Sequence, residues 1–142
     1  MIFKSFETNK INFLINNFYL FYGENEGLKY EIISKNFNNK NIYRYEEKEI
    51  LDNKNVFFDS IYSKSFFDNQ KIIIISRTTD KIKDIIEEIV EKKIKDVKII
   101  LISNILDKKS KLRNFFEKNK NTICIPFYSD TNQTLNSIAI KF

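Results

Sequence analysis

The sequence predicts an α/β fold, a three-layer sandwich built on a five-stranded parallel sheet. Five short apolar runs recur along the chain, at residues 18–22, 42–45, 72–75, 99–102 and 122–125. Continuous apolar runs of this length indicate strands that are buried on both faces, as in a parallel sheet. Helical patterns lie between the runs, and right-handed crossovers are expected where strands and helices alternate in this way.

Apolar residues at helical spacing define the helices between the strands. The clearest stripe follows the i, i+3, i+4, i+7, i+8 pattern of one helix face, and Thr79 or Asp80 can cap its N-terminus. Its members are Ile82, Ile85, Ile86, Ile89 and Val90. Shorter stripes predict three more helices, through Leu28, Ile32 and Ile33, through Val56, Phe57 and Ile61, and through Leu112, Phe115 and Phe116. A last helix is predicted within residues 130–142, with Leu135, Ile138 and Phe142 on its apolar side.

Composition favours one globular domain and excludes several kinds of site. The chain has 142 residues, of which 42% are hydrophobic, and it is therefore too apolar for a disordered protein. It contains no His, which excludes the usual zinc site and the Ser-His-Asp triad. Its one cysteine, Cys124, lies in an apolar run and is expected to be a small buried hydrophobe. We expect no metal, no cofactor and no catalytic residue.

Charge and hydropathy indicate a cytoplasmic protein with no membrane association. No apolar stretch approaches the length that spans a bilayer, and residues 1–17 lack the apolar core of a signal peptide. The net charge is +5, and most lysines alternate with acids, as in residues 81–84. This pattern favours a solvated surface over a dedicated nucleic-acid face.

The only two glycines of the chain, Gly23 and Gly27, fall in one short loop between the first strand and the first helix. A strand, a Gly-flanked turn and a helix are the arrangement in which P-loop proteins hold phosphates, with the motif G-x-x-x-x-G-K-[ST]. Here the loop is one spacer residue too short, and Leu28 stands where the lysine should follow. Glu24 and Glu26 add negative charge where a phosphate would sit. The loop therefore has the architecture of a nucleotide site without its chemistry.

The ends of the third and fourth strands also lack the groups that hold Mg-ATP. A P-loop ATPase places an acid after the third of these strands, whereas Ser76 and Arg77 follow it here. Asn104 follows the fourth strand and could sense a γ-phosphate, although a turn residue is the preferred interpretation. The alternative of a divergent nucleotide-binding P-loop protein would have to use Lys29, the only lysine near the loop.

Two further segments carry candidate binding residues. Residues 108–113 form the one dense basic run, which could bind phosphate or nucleic acid, contact a neighbouring subunit, or be a solvated helix face with Leu112 directed inward. Residues 63–70 contain the adjacent pair Phe66 and Phe67, which cannot both face the core from one helix. Such a pair is either an exposed anchor for a hydrophobic pocket on a partner or packs under the following loop.

Several of these segments together resemble the N-terminal domain of the delta subunit of bacterial DNA polymerase III. The resemblance runs through essentially the whole chain in the right order. Its segments are Phe21-Tyr22-Gly23-Glu24, Ser65-Phe66-Phe67, Lys71-Ile72-Ile73-Ile74-Ile75, the run from Leu106 to Arg113, and Ile125-Pro126-Phe127-Tyr128. It implies an AAA+-type fold with the strand order 5-1-4-3-2. It also implies a single N-terminal domain over residues 1–142, without the lid and collar domains that follow in the family.

The resemblance implies a role in DNA replication as a subunit of the clamp loader, within the polymerase III holoenzyme, that does not itself bind or hydrolyse ATP. Its expected partners are the β sliding clamp and, in the full-length protein, the gamma/tau and delta prime subunits, with DNA met only through the assembled complex. The family grips the clamp through a hydrophobic pair before the third strand, which corresponds to Phe66 and Phe67, preceded by Ser65. Phe66 stands where the family often has Leu, and Tyr62 stands where it often has Gln.

Overall fold

The described residues form five parallel strands with five helices between and beside them. The computed structural model describes residues 1–13, 15–37, 42–62, 71–94 and 96–128. In chain order the elements are β1 (Phe18–Gly23), α1 (Glu26–Asn36), β2 (Ile42–Glu46), α2 (Glu47–Asp52), α3 (Lys54–Tyr62), β3 (Lys71–Ser76), α4 (Lys83–Glu91), β4 (Val97–Ile102), α5 (Lys111–Lys118) and β5 (Thr122–Phe127). Short 3₁₀ turns occupy Ser5–Lys10 and Asp80–Ile82. The helix predicted within residues 130–142 lies outside the described residues.

The sheet confirms the predicted five-stranded parallel architecture. Its strand order is β2-β3-β4-β1-β5, with β1 between β4 and β5. In the parallel registers, Leu20 lies opposite Leu101 of β4 and opposite Cys124 of β5. Read from the other edge, this is the order 5-1-4-3-2 that the resemblance implies. All five predicted strands are present, and each extends one or two residues beyond its predicted apolar run.

Helices cover both faces of the sheet and form two cores. Because successive strand residues face opposite sides, Leu20 packs with the α2–α5 side, whereas Tyr19 and Phe21 pack with α1. The α4 stripe is buried as predicted, at Ile82, Ile85, Ile86, Ile89 and Val90. Each such side chain stabilises the fold by about 1.5–3 kcal/mol through removal of apolar surface from water. Among the described residues, no helix is both long and apolar enough to cross a membrane.

Two expectations about burial are wrong. The edge strand β2 is not buried on both faces, because Tyr43 and Arg44 have only one neighbouring strand and are exposed. Val56 is 67% exposed, since the face that Phe57 and Ile61 share points away from it. The predicted cap at Thr79 is confirmed, because its hydroxyl accepts from the Lys81 N–H at the start of the 3₁₀ turn Asp80–Ile82, which leads directly into α4. Asp80 does not cap this helix, and no side chain caps α4 at Lys83.

Candidate functional site: the carboxyl edge of the sheet

The carboxyl ends of the five strands meet at one edge, where open α/β sheets commonly bind ligands. Gly23 ends β1 at this edge with φ +115°, a conformation that L side chains rarely adopt. A Cβ atom added there would lie 2.1 Å from the Phe127 carbonyl oxygen of β5. The Gly23 N–H donates to the Asn104 carbonyl at 3.0 Å, which ties the end of β1 to the end of β4. Gly23 is therefore required by the close packing of three strand ends.

Gly27 is not a loop residue, which corrects the sequence interpretation. It lies in the first turn of α1, and an added Cβ would be no closer than 3.8 Å to its nearest neighbour, Asn25 Oδ1. Nothing in the backbone requires glycine at this position. The loop therefore consists of Glu24 and Asn25 alone, too short a turn to wrap a phosphate.

The N-terminus of α1 is already satisfied by side chains of the protein. Asn25 is the N-cap, and its Oδ1 accepts from the Leu28 N–H at 3.1 Å. Glu26, in the first turn, places its carboxylate 2.7 Å from the Lys29 ammonium. The negative charge predicted at this helix end is thus present, and Asn25 adds a cap that the sequence interpretation missed. Both groups compete with a phosphate for the positive end of the helix.

Lys29 is the unexpected residue of the site, because its side chain is completely buried. Its Nζ donates to the Gly23 carbonyl at 2.6 Å, to the Ser103 carbonyl at 2.8 Å and to Glu26 Oε1 at 2.7 Å. An ammonium group has three protons, and these three acceptors account for all of them. Lys29 therefore holds the carboxyl ends of β1 and β4 together and has no donor left for a phosphate.

Hydrogen bonds between polar groups also connect the carboxyl ends of β4, β3 and β2. The Ser103 Oγ donates to the Thr78 carbonyl at 2.9 Å, and the two hydroxyl groups of Ser103 and Thr78 are in contact. The buried Glu47 carboxylate accepts from the Thr79 N–H at 2.7 Å and from the Thr79 hydroxyl. We call Lys29, Glu47, Thr78, Thr79 and Ser103 the carboxyl-edge network. It joins the ends of β1, β4, β3 and β2 through groups that are committed to one another.

The strand ends that would hold Mg-ATP carry no magnesium ligand directed at the loop. Arg77 follows β3 with φ 55°, and its side chain is 80% exposed, with Nη1 3.9 Å from Glu46 Oε1. Asn104 is exposed in a bend and supplies its carbonyl to Gly23, in keeping with a turn residue. Among the described residues, no cluster of three or more His, Cys, Asp or Glu side chains could hold a metal ion.

The basic run at residues 108–113 does not present a free helix N-terminus. Ser110 caps α5 by accepting from the Arg113 N–H at 3.2 Å, and Asp80 accepts from the Ser110 hydroxyl at 2.6 Å and the Leu112 N–H at 3.1 Å. Burial alone would raise the pKa of Asp80, but these hydrogen bonds outweigh it and hold that pKa below its usual range. A carboxylate of the protein therefore occupies the position where an external anion would bind.

The remaining side chains of this run divide between the core and solvent. Leu112 is fully buried, as the solvated-face interpretation expects. Arg113 donates to Glu117 Oε1 at 2.6 Å and to the Leu106 carbonyl at 2.9 Å, and its guanidinium lies 5.1 Å from the centre of the Tyr22 ring. Lys108, Lys109 and Lys111 are exposed. Arg113 is thus a structural residue, and only the lysines face water.

Of the four predicted clamp-binding residues, the structure describes Tyr62. It ends α3, and its ring stacks on the ring of Phe58 with centroids 5.7 Å apart. The ammonium group of Lys92, the residue after α4, lies 4.4 Å from the centre of the Tyr62 ring. The Tyr62 hydroxyl is buried without a hydrogen-bond partner among the described groups. Tyr62 is therefore held in place by stacking. Ser65, Phe66 and Phe67 lie outside the described residues, and their exposure stays a prediction.

Comparison with known proteins gives no family for the chain. No family model matches it, and no curated protein is significantly similar to it in sequence.

Proposed function

We propose that this chain is the AAA+-type N-terminal domain of a clamp-loader delta subunit, which binds the β sliding clamp and helps to open it during DNA replication in the cytoplasm. In this proposal the domain neither binds nor hydrolyses ATP. Its other partners are the gamma/tau and delta prime subunits of the full-length assembly, and it meets DNA only through that assembly. The observation that carries the proposal is the carboxyl edge, where a P-loop-like sheet has its nucleotide position filled by its own side chains.

The fully committed Lys29 is the strongest support for a non-catalytic role. A nucleotide site needs a lysine whose ammonium is free to reach the β- and γ-phosphates. Here that group donates to the Gly23 and Ser103 carbonyls, and its third hydrogen bond goes to the Glu26 carboxylate. The clamp loader needs subunits that keep the nucleotide-binding fold and act by binding a partner, and this edge suits such a subunit.

The positions of the resembling segments also support the proposal. Gly23 and Glu24 stand at the carboxyl end of β1, and residues 71–75 form most of β3. The run from Leu106 leads into α5, and residues 125–127 complete β5. The segment with Phe66 and Phe67 falls between α3 and β3, where the family carries its clamp-gripping pair.

Calorimetric titration of the β clamp from the same organism tests the proposal directly. Wild-type protein is expected to bind, and Phe66→Ala/Phe67→Ala is expected to lose about 2–4 kcal/mol of binding free energy, because both anchors leave the pocket of the clamp. Phe6→Ala/Val56→Ala is a matched control, since it removes two apolar side chains outside residues 63–70 that are 55% and 67% exposed. Clamp binding that the Phe66/Phe67 variant retains would remove these residues from the site.

A divergent P-loop function is tested with the same protein. A nucleotide that binds only the folded state stabilises it by mass action and so raises the melting temperature. At a nucleotide concentration a hundredfold above Kd, the free energy of unfolding increases by about 2.7 kcal/mol. We expect no rise with Mg-ATP, because Asn25 already holds the Leu28 N–H and the Lys29 ammonium already donates to the Gly23 and Ser103 carbonyls. A concentration-dependent rise would favour the nucleotide-binding alternative.

A further inference from the structure

The α-ammonium group of Met1 lies at the junction between the end of α5 and the start of β5. It donates to the carbonyls of Phe116 and Asn119, each at 3.1 Å, and to the carbonyl of Thr122 at 2.7 Å. An ammonium group has three protons, so each of these carbonyls can accept one. Phe116 lies in the last turn of α5, Asn119 is the C-cap of that helix, and Thr122 is the first residue of β5. The terminal group therefore joins the two elements.

The end of α5 is a place where a cationic donor is needed. The last carbonyls of a helix have no partner within it, and the helix macrodipole concentrates negative charge at this end. The Met1 ammonium group supplies a donor and a positive charge together, and the Thr122 hydroxyl adds a donor to the Phe116 carbonyl at 2.8 Å. Burial lowers the pKa of the Met1 amine, because the group loses part of its water on folding. The three carbonyls replace hydrogen bonds that water would otherwise make.

The remainder of Met1 is fixed by the edge of the sheet. The Cys124 N–H donates to the Met1 carbonyl at 2.8 Å, and the Phe3 N–H donates to the Cys124 carbonyl at 2.9 Å. Ile2 consequently forms a parallel bridge with Cys124. Met1 is therefore held on both sides, by β5 through its carbonyl and by the end of α5 through its ammonium group. Its nitrogen cannot turn away from α5 without breaking the contacts with β5.

An acyl group on the Met1 nitrogen is incompatible with this arrangement. The amide that acylation produces has one N–H in place of three and carries no charge, so at least two of the three carbonyls lose this donor. The carbonyl oxygen of the acyl group would add a fourth acceptor beside three that already lie 2.7–3.1 Å from the nitrogen. Acceptors without donors repel one another, and the acylated residue must leave its place between α5 and β5.

We propose that the α-amino group of Met1 is a modification-sensitive site, at which a formyl or acetyl group releases residues 1–3 from β5 and loosens the last turn of α5. The free ammonium group is the form that fits the fold, and folding in turn protects this amine from acylating reagents. The inference goes beyond the proposed function and is independent of it, because none of its residues belongs to the clamp-binding segment or to the carboxyl-edge network.

Acetylation with the N-hydroxysuccinimide ester of acetic acid tests the protection of the amine. The reaction forms a C–N bond at the amine, breaks the ester C–O bond and releases N-hydroxysuccinimide and a proton. Mass spectrometry of proteolytic peptides gives the rate at Met1 in folded and in urea-unfolded protein. We expect this rate to be at least about tenfold lower in folded protein, since the amine must first leave its three acceptors. The exposed Lys35 is the matched control, and its rate should differ by less than about twofold.

Protein acetylated at Met1 during expression, by coexpression of an N-terminal acetyltransferase, tests the release of residues 1–3. Its melting temperature is expected to be lower than that of unmodified protein by about 5 °C. Lys35→Gln also removes one positive charge, at an exposed position, and should lower the melting temperature by less than about 2 °C. Amide hydrogen exchange, followed by NMR, should become faster at Phe3 and Cys124 and stay the same at Gly23, whose N–H donates at the carboxyl edge.

The two experiments can each overturn the inference. Slow acetylation of Met1 in folded protein, with faster exchange confined to the amides beside Met1 in acetylated protein, supports it. Equal melting temperatures and equal exchange rates of acetylated and unmodified protein would show that the ammonium group does not hold the junction together. Acetylation of Met1 at the same rate in folded and unfolded protein would show that the amine is not engaged by the three carbonyls.

Discussion

The carboxyl-edge network makes a quantitative prediction for the substitution Lys29→Met. Methionine keeps an unbranched stem of similar length but removes the ammonium group. The Gly23 and Ser103 carbonyls, which accept from Lys29 at 2.6 and 2.8 Å, then lose a buried donor. Glu26, whose side chain is 51% exposed, can return to water at little cost.

The expected destabilisation follows from those two carbonyl groups. A buried acceptor left without its donor costs about 1–3 kcal/mol, and two of them cost about 2–6 kcal/mol. Methionine offsets part of this because the fold no longer has to desolvate an ammonium group. We therefore expect Lys29→Met to lower the free energy of unfolding by about 2–4 kcal/mol. For a domain of this size the melting temperature should fall by roughly 8–15 °C.

Urea unfolding followed by circular dichroism measures this difference, and Lys35→Met is the matched control. Lys35 is an exposed lysine in the last turn of the same helix, so its replacement should change stability by no more than about 0.5 kcal/mol. The slope of the unfolding free energy with urea should be the same in all three proteins. Equal stability of the two variants would show that the network does not hold the strand ends together, and would refute the argument that Lys29 is committed to the fold.

Three further predictions follow from the same regions. Gly27→Ala should stabilise the protein by about 0.4–1 kcal/mol in thermal unfolding, whereas Gly23→Ala should destabilise it by about 3 kcal/mol or more, because only Gly23 has a positive φ and a backbone atom in the way of a Cβ. Asp80→Asn should cost about 1 kcal/mol at pH 7; since the pKa of Asp80 is lowered on folding, its stabilisation is complete above the unfolded value of 3.8 and is lost as pH falls through the folded pKa, so wild type and variant should converge in acid. Burial raises the pKa of the Cys124 thiol to about 12, so a disulfide reagent at pH 8 should label the unfolded chain and leave the folded chain unmodified; rapid labelling of folded protein would contradict the described burial.

The strands and the α4 stripe were predicted correctly because their apolar sequence patterns indicate burial directly. Runs such as Ile72–Ile75 and the spacing from Ile82 to Val90 place many apolar groups at one period, and only one arrangement buries them all. The edge position of β2 is not encoded in that way, since it depends on which strands pair. Its Tyr43 and Arg44 were nevertheless a signal, because a central strand of a parallel sheet rarely carries a charge between aromatic residues.

Lys29 could not be found from the sequence, because its burial depends on groups far away along the chain. One of its acceptors, the carbonyl of Ser103, is 74 residues distant along the chain. Every residue has a backbone carbonyl, so no sequence pattern shows which one a buried lysine will contact. Asp80 was misassigned for a related reason. A carboxylate before a helix is expected to cap that helix, but this one reaches α5, whose N-terminus lies beside it only after the sheet has formed.

These long-range contacts bear on where this fold can bind a partner. An open parallel sheet offers its carboxyl edge to ligands because helix N-termini and strand-end carbonyls leave unpaired groups there. In this chain Asn25, Glu26, Lys29 and Asp80 satisfy such groups internally, so a ligand at that edge would have to displace hydrogen bonds that are already made. The amino edge, where the strands begin, is different: within the part of the chain that the structure describes, it retains the 73% exposed side chain of Ile15 and the exposed Lys92, Lys93 and Lys120, which no ion pair engages. Recognition by this domain is therefore expected at the amino edge, on the side from which the segment with Phe66 and Phe67 leaves α3.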